Sequence, residues 1–544
     1  MSAEPAQTSL EDARRVARDV FGHPDLHPGQ QEAIAGLLEG NDVLLVSATG
    51  SGKSLVYQVP AVLIEGCTLL VSPLLALQRD QLDSLPEDGR TAGARISSAE
   101  TDAQREAALD AALRGDLEFL AVSPEQLAND QVRARLAAVR PSLVAVDEAH
   151  CVSTWGHDFR PDYLRLGELV QDIGQPRLVA LTATAAGPVR DDIVERLHLR
   201  NPRVVVAGFG RDNLALRVER CTDQSDQVDK VVAEVAGRRN GLGTGLGILY
   251  CRTRRSTESY AARLVDEGLG AIVYHAGLGS RARQQAHESF HRGDVDVVVA
   301  TSAFGMGIDK PDVRYVVHAE VPESPDTYYQ EVGRAGRDDL PADGVLFFRP
   351  EDLALGRFFS GGVPDRGHVF AVVQELSRDP QVSRSELQTR TGLGARRVGR
   401  VLNLRNDVLG SPDPPRGVEE TVEAVIGRAE AQRRLEQSRV EMMRAYAETT
   451  RCRMEFLLAY FGEQVPAVCG RCDTCASGTA QAAFAAARPG ATPYDVGADV
   501  VHRTFGPGSV VDVEGDTITV LFDDVGYRTL AVDVVERKGL LEAG

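Results

Sequence analysis

The 544 residues contain no apolar run approaching the roughly 20 residues a bilayer span needs. The first twenty, MSAEPAQTSLEDARRVARDV, are charged and lack the apolar core of a secretory signal. Together these absences predict a cytoplasmic protein with no membrane partner, nucleoid-associated if its source is bacterial. An excess of positive charge is also missing: 60 Lys and Arg stand against 79 Asp and Glu, a net charge of −19. Nucleic-acid binders usually carry a basic surface, so this balance excludes binding by bulk electrostatics and leaves only local contacts. Its bland reading is a soluble enzyme with an acidic face. Cysteine is sparse as well. Cys67, Cys151, Cys221 and Cys251 are isolated, whereas Cys452, Cys469, Cys472 and Cys475 cluster, and clustering in a reducing compartment favours metal over a disulfide. The length exceeds what one hydrophobic core serves; at roughly 150 residues per domain, three or four domains are expected.

What the chain does have is a rhythm. From about residue 40 to 210, short apolar runs (DVLLVSA, CTLLVS, LEFLAVS, SLVAVDEA, RLVALTAT) alternate with amphipathic helical stretches, predicting an α/β unit with a parallel sheet. The pattern restarts at GLGILYC and runs through GAIVYH, VDVVVAT, RYVVHAE and GVLFF, with GFGRDNL as a plausible hinge between the units. The expected segments are 1–210 and 211–350 for these two units, and a helical insertion at 351–417 that ends in the breaker SPDPPRG. A helical cysteine-bearing module at 418–476, an Ala/Gly/Pro-rich linker at 477–496 and a small β domain at 497–544 with period-two alternation complete the chain.

Ser47-Ala48-Thr49-Gly50-Ser51-Gly52-Lys53-Ser54 follows the strand DVLLV and precedes a helix, the context a phosphate loop requires. Glycines let backbone N–H groups close around phosphate, Lys53 supplies a cation, and the Ser54 hydroxyl is placed for Mg²⁺. Ser47 stands where the strict pattern has its first glycine, so an ordinary glycine-rich turn is the alternative. About ninety residues on, Asp147-Glu148-Ala149-His150 ends the apolar strand SLVAV. An acidic pair there, on a strand adjacent to the phosphate loop, lets Asp147 hold Mg²⁺ while Glu148 orients and deprotonates a water. The alternative is a solvated surface pair. Near the end of the second unit, Arg334 and Arg337 are three apart and can share one helical face aimed across a cleft at a γ-phosphate.

With these elements in order the chain resembles the superfamily 2 helicases, and in detail the RecQ family. FGHPDLHPGQQEAI is similar to that family's adenine-reading segment, which implies that Gln30 contacts the base, although Leu26-His27 replaces the usual Phe-Arg. VSPLLALQRDQ at 71–81, VSPEQL at 122–127, LTATA at 181–185 and ATSAFGMGIDKPDVRYVVH at 300–318 follow in family order, so the likeness covers about 25–350. It implies two tandem RecA-like P-loop domains, ATP and Mg²⁺ as cofactors, and ATP-driven movement on single-stranded DNA in the 3′ to 5′ direction with duplex unwinding, in DNA repair or recombination. Thr49, Gly50, Ser51, Gly52, Lys53, Ser54 and Asp309 would then hold the nucleotide, Arg337 would be the arginine finger, Arg334 a coupling residue, and Ser72 and Thr301 would grip DNA phosphates. STWGHDFRPDY at 153–163 looks like the family's aromatic-rich loop. Trp155, Phe159 and Arg160 offer stacking and cation–π faces to unpaired bases, each worth roughly 1–3 kcal/mol; a lone tryptophan is otherwise more often core.

Cys452 precedes Cys469-Gly470-Arg471-Cys472-Asp473-Thr474-Cys475 by sixteen intervening residues, a set suited to a closed tetrahedral Zn²⁺ of structural type. The intervening CRMEFLLAYFGE resembles the RecQ zinc segment. The order around it departs from the family's. SRSELQTRTGLGARRVGRVLNLRND reads as helix, glycine-containing turn, helix, with six arginines and one glutamate between 384 and 405. Arg396, Arg397 and Arg400 are placed either to meet DNA or to face solvent on a structural helix pair. The chain after the cysteines is too short for both the family's winged helix with its strand-splitting hairpin and its helical end domain. The tail resembles instead the Tudor-like, SH3-like barrel of UvrD-type helicases, with Ile518, Val520 and Phe522 facing inward. That likeness implies RNA polymerase as a partner, against the alternative of a packing module. A translocase without strong unwinding, or a polymerase-recruited ATPase switch, are the rival functional expectations.

Overall fold

The computed structural model describes residues 9–543 apart from 74–77, 79–80, 83–84, 86–91, 98, 154–162, 164–165, 240–244, 306–309, 355–361, 411–413, 464–467 and 487–492. Its contacts divide the chain into two compact units, one formed by residues up to 352 with 443–489, the other by 353–442 with 490–544.

The first unit holds two parallel sheets. In the first lobe β1 (Val43–Val46), β2 (Thr68–Val71), β3 (Gly93–Ile96), β4 (Phe119–Val122), β5 (Leu143–Val146), β6 (Arg177–Thr182) and β7 (Arg203–Val206) lie in the order β3-β4-β2-β5-β6-β1-β7. Strands β1, β2, β4 and β5 are buried at every position. Both sheet faces are covered, which is why these strands read as unbroken apolar runs rather than alternating ones. The second lobe repeats the plan with β8 (Leu214–Arg220), β9 (Leu246–Tyr250), β10 (Ala271–Tyr274), β11 (Val297–Ala300), β12 (Val313–His318) and β13 (Ala342–Phe348), in the order β10-β11-β9-β12-β13-β8. These are the two tandem RecA-like domains expected from the sequence. One detail differs: β5, which carries the acidic pair, is not adjacent to β1, because β6 lies between them.

Residues 443–489 add three short helices to this unit: Arg453–Tyr460, Asp473–Ala476 and Thr479–Ala486. The last occupies the start of the stretch whose composition suggests a linker. Its sequence, TAQAAFAA, is dominated by the strongest helix former, and Ala480 is buried.

In the second unit the helices Arg366–Arg378, Arg384–Thr391 and Ala395–Leu409 share one core with the start of the helix Val418–Glu448. The middle helix opens on a reciprocal cap between Ser383 and Glu386 and stops at Gly392, whose φ of +69° favours glycine. The tail is a five-stranded antiparallel sheet, β14 (Asp499–His502), β15 (Gly506–Glu514), β16 (Thr517–Phe522), β17 (Gly526–Ala531) and β18 (Leu541–Ala543), in the order β17-β16-β15-β14-β18. Ile518, Val520 and Phe522 point into its core, as the alternation predicts. The sheet also packs on the long helix: the Tyr527 N–H donates to Ser438 Oγ at 3.0 Å and Arg434 donates to the Asp524 carbonyl at 2.7 Å. No described helix is long and apolar enough to cross a membrane.

Candidate functional site

The loop after β1 turns sharply into the helix Leu55–Leu63. Gly50 and Gly52 adopt φ of +83° and +70°, which only glycine takes without strain, whereas Ser47 does not have positive φ and so needs no glycine. Its hydroxyl instead closes the loop on itself, donating to Ser51 Oγ at 2.8 Å. Lys53 Nζ donates to the Ser47 and Ala48 carbonyls, both at 2.9 Å. Burial pulls the Lys53 ammonium below its ordinary pKa, while Glu148 and Asp147 pull it back up. Thr49 Oγ1 is buried in the loop without a hydrogen-bond partner.

The loop borders a cavity of about 530 Å³, within the range of nucleotide-sized pockets. Gln30 lines it, but its amide is engaged there. Nε2 donates to the Ser51 and Gly52 carbonyls at 2.9 and 3.1 Å, and Oε1 accepts from His27 N–H at 2.8 Å. His27 lines the same cavity, whereas Leu26 is buried in the lobe's core.

Asp147, at the end of β5, accepts from Gln81 Nε2 at 3.0 Å and from the Glu148 N–H at 2.9 Å. Burial raises its pKa, and Lys53 opposes that rise. A buried carboxylate of this kind, near a hydroxyl-bearing loop, fits a divalent cation. Glu148 has a φ of +48°, a costly conformation for a side-chain-bearing residue and one that concentrates at functional sites. β6 joins the acidic segment to the phosphate loop: its Thr182 carbonyl accepts from the Ser47 N–H at 3.0 Å and its Thr182 hydroxyl meets His150 Nδ1 at 3.0 Å.

The two arginines of the second lobe do not share a helical face. The helix Pro325–Val332 ends before them, and the next residues form a turn with Gly336 at φ +64°. Arg211 and Asn213, from the hinge, hold that turn. Arg211 donates to the carbonyls of Ala335 at 2.9 Å and Gly336 at 2.6 Å, and Asn213 Nδ2 reaches the Gly336 carbonyl at 2.6 Å. These bonds hold the turn in which Gly336 leaves helical backbone geometry. Arg334 is buried beside Gly305. Arg337 lies in the cavity against the phosphate loop: a Cβ on Gly50 would sit 3.1 Å from Arg337 Cγ. Gln81 ends the segment VSPLLALQRDQ and Arg211 lies in the hinge GFGRDNL, but their roles carried no sequence signal, since their partners lie 66 and 125 residues away.

Ser72 follows β2, fully buried, its hydroxyl without a partner, and Thr301 follows β11 at a half-buried position. Trp155, Phe159, Arg160 and Asp309 lie outside the described residues. In the second unit Arg396 and Arg397 are exposed and Arg400 half-buried on the helix Ala395–Leu409.

Cys452, Cys469, Cys472 and Cys475 bring their sulfurs within 4.8 Å of one another. Two pairs, Cys469 with Cys475 and Cys472 with Cys452, stand at 3.9 Å, near the ~3.8 Å edge of a tetrahedron built on Zn–S bonds of about 2.3 Å. Backbone N–H groups of Cys469, Arg453 and Arg471 point at Cys452, Cys472 and Cys469 sulfurs, at 3.2, 3.5 and 3.5 Å, as thiolates require. The donor set therefore fits zinc. The cluster's surroundings reach the lobes. Asp473 pairs with Arg453 and accepts from the Val218 N–H of β8 at 3.0 Å, Phe461 stacks on hinge residue Phe209 with centroids 5.0 Å apart, and Glu463 accepts from the Phe209 N–H at 3.2 Å.

Known families match in three places: DEAD/DEAH box helicase over residues 27–193, helicase conserved C-terminal domain over 228–339, and RecQ zinc-binding over 418–476. ATP-dependent DNA helicase RecQ of Haemophilus influenzae is 35% identical over 463 residues, covering 85% of this chain and 63% of that protein. Its counterpart from Bacillus subtilis is 32% identical over 468 residues, covering 86% of this chain and 67% of that protein. The chain thus spans less than two thirds of the length of relatives such as the first. Among solved structures, Mycobacterium smegmatis helicase Lhr bound to ssDNA and AMP-PNP superposes with a TM-score of 0.51 at 23% identity, over 73% of this chain and 57% of that one, a likeness of fold.

Proposed function

The chain belongs to the RecQ family of ATP-dependent DNA helicases, and from that premise we propose that it hydrolyses ATP to move 3′ to 5′ along single-stranded DNA and part duplexes. One observation carries the reading: Arg337 of the second lobe lies on the phosphate loop of the first, beside Lys53, in a single nucleotide-sized cavity. Two lobes that complete one site only when they close can convert each hydrolysis into a closing and opening stroke.

In this reading Lys53 and the N–H groups of Thr49, Gly50, Ser51 and Gly52 take the phosphates, while Ser54 and Asp147 hold Mg²⁺, which neutralises charge developing on the phosphoryl oxygens. Glu148 orients and deprotonates the attacking water, and Arg337 stabilises the transition state. Gln30 exchanges its loop carbonyls for the adenine. Arg334 couples the closing turn to the second lobe, and Asp309 contributes to holding the nucleotide. Thr301 grips the DNA backbone from the second lobe, Ser72 does so from the first once its buried hydroxyl is uncovered, and Trp155, Phe159 and Arg160 stack on unpaired bases. Zinc on the four cysteines closes the segment that braces the hinge. A polymerase-recruited switch draws no specific support, since the tail's Gly526 and Tyr527 are occupied by a helix of this same chain.

The test is separation of a 3′-tailed duplex alongside DNA-stimulated ATP hydrolysis, with Lys53→Ala and Arg337→Ala as comparators. Arg337→Ala should lower turnover by about 10³-fold or more, as loss of an arginine finger does, and both variants should leave strands paired. Strand separation by Arg337→Ala at the wild-type rate would sink the closing-cleft mechanism. Stimulated hydrolysis without separation would leave a translocase.

A further inference from the structure

Among the described residues of the second unit, Arg396, Arg397 and Arg400 have no side-chain partner and no role in the cleft; Arg405, Arg416 and Arg433 are also unpaired, but only these three stand together at the start of one helix. Most arginines around them are neutralised or used. Arg366 pairs with Glu419 and Glu423, Arg378 with Glu375, Arg390 with Glu375 and Asp379, Arg428 with Asp407, and Arg384 donates to the Ala395 carbonyl. Among the described residues no side chain pairs with Arg396, Arg397 or Arg400. The nearest carboxylates in sequence are committed elsewhere, Glu386 to the Ser383 cap and Asp407 to Arg428.

Helix stability does not account for this placement. Arg396 and Arg397 sit in the first turn of a 15-residue helix that has no acidic residue in that turn and no side-chain cap. The amino-terminal end of a helix carries partial positive charge, so cations there are unfavourable, and Arg396 with Arg400 is a like-charge i,i+4 pair. Such an arrangement is stabilising once an anion is bound.

The frame that presents these residues is rigid. The helices Arg384–Thr391 and Ala395–Leu409 are joined by the three-residue turn Gly392-Leu393-Gly394, and Leu393 is buried in the same core as Val398 and Val401. That core fixes the face bearing Arg396, Arg397 and Arg400, which continues one turn on to exposed Asn403. Two helices with a short glycine turn, the second exposing cationic residues near its start, have the geometry that seats a helix in the major groove.

We propose that the helix Ala395–Leu409 binds duplex DNA, with Arg396, Arg397 and Arg400 on phosphates and the groove rim and Asn403 toward base edges. The helix ARRVGRVLNLRNDVL has no aromatic residue, so it lacks the stacking platform that holds single strands. A-form RNA presents a major groove too narrow for a helix. Duplex DNA is the partner that remains, and binding it does not depend on the cleft hydrolysing ATP.

The full chain is titrated onto a fluorescent blunt 20-base-pair DNA duplex across a salt series, beside a single strand of the same length and a duplex RNA. Arg396→Ala/Arg397→Ala/Arg400→Ala should weaken duplex DNA binding at least tenfold. It should also lower the slope of log affinity against log salt by about 2.7, at roughly 0.9 per lost phosphate contact. Replacing all three by lysine should keep the slope. If the triple variant melts below the wild type, Arg396→Ala and Arg400→Ala singly should each lower the slope by about 0.9. An unchanged duplex affinity and slope, a parallel loss on the single strand, or equal binding of duplex RNA overturns the proposal. A chain that grips duplex DNA in this way yet fails to hydrolyse ATP upholds it and removes the motor reading instead.

Discussion

Phe209 is the residue whose removal best tests whether the zinc segment braces the hinge. Its ring is fully buried, lies at 9° to Phe461 with centroids 5.0 Å apart, and tilts against Tyr329 at 5.8 Å. Truncating a buried phenylalanine to alanine costs about 3–5 kcal/mol, part transfer and part cavity. The lower end applies here, because the backbone bonds of Phe209 to Glu463 and to the Tyr329 hydroxyl survive the change. About 3 kcal/mol is close to a hundredfold in a local opening equilibrium. Native-state hydrogen exchange of Phe209→Ala should therefore show protection falling about a hundredfold in the helices Arg453–Tyr460 and Pro325–Val332, while amides of β1 keep theirs. Unchanged protection in those helices, or an equal loss in β1, would refute the idea that this stacked pair ties zinc segment, hinge and second lobe together.

Stripping zinc with a chelator should unfold the segment that includes Cys452 and Cys475, as metal binding there contributes folding energy, and should raise exchange at the hinge in the same way; a hinge indifferent to chelation contradicts the brace. Gly526→Ala should detach the tail from the long helix, since its Cβ would stand 2.2 Å from Ser438 Oγ at a φ of +72°. The cost is about 2 kcal/mol from conformation and the lost hydrogen bond, read as reduced protection in β17 that Ser438→Gly partly restores. Glu234 gives a pH dependence. Burial pushes its carboxyl up, but hydrogen bonds from Arg217 and Arg238 outweigh that and hold it below the usual glutamate range. Its stabilising share is present above the unfolded pKa and lost as pH falls through the folded one. Glu234→Gln should thus be less stable near neutrality and show a shallower acid-unfolding limb below about pH 4.3; an unchanged limb rejects the assignment.

The parts of the site legible in the sequence are those whose chemistry is local. The cysteine spacing reads as a metal set because sulfurs within one short segment converge, and Asp147-Glu148 reads as functional because a strand end must place it beside the loop. Ser47 shows how a motif can fail by letter and hold by geometry, since the glycine it replaces is not required at negative φ. Strand order was not legible: nothing in the run SLVAV says that β6 will insert between it and β1. Nor were the contacts of Arg211, Asn213 and Gln81, which depend on how loops far apart in sequence meet. Arg334 and Arg337 were visible as residues, but their spacing suggested a shared face, and the turn after Val332, held by hinge side chains, separates them.

The charge balance misleads for a related reason. A net of −19 speaks for the surface as a whole, and under the proposed reading, in which DNA is met in a cleft and on one helix, no basic surface is needed elsewhere. Acid-rich surroundings weaken non-specific binding, which scales with the number of phosphates neutralised. They leave the unpaired arginines as the places where a phosphate backbone is attracted. In this chain the informative quantity is not how many arginines there are but which of them the fold leaves without a carboxylate. Arg366, Arg378, Arg390 and Arg428 are answered from within the second unit, whereas among the described residues no carboxylate answers Arg396, Arg397 and Arg400, which stand together at the start of one helix.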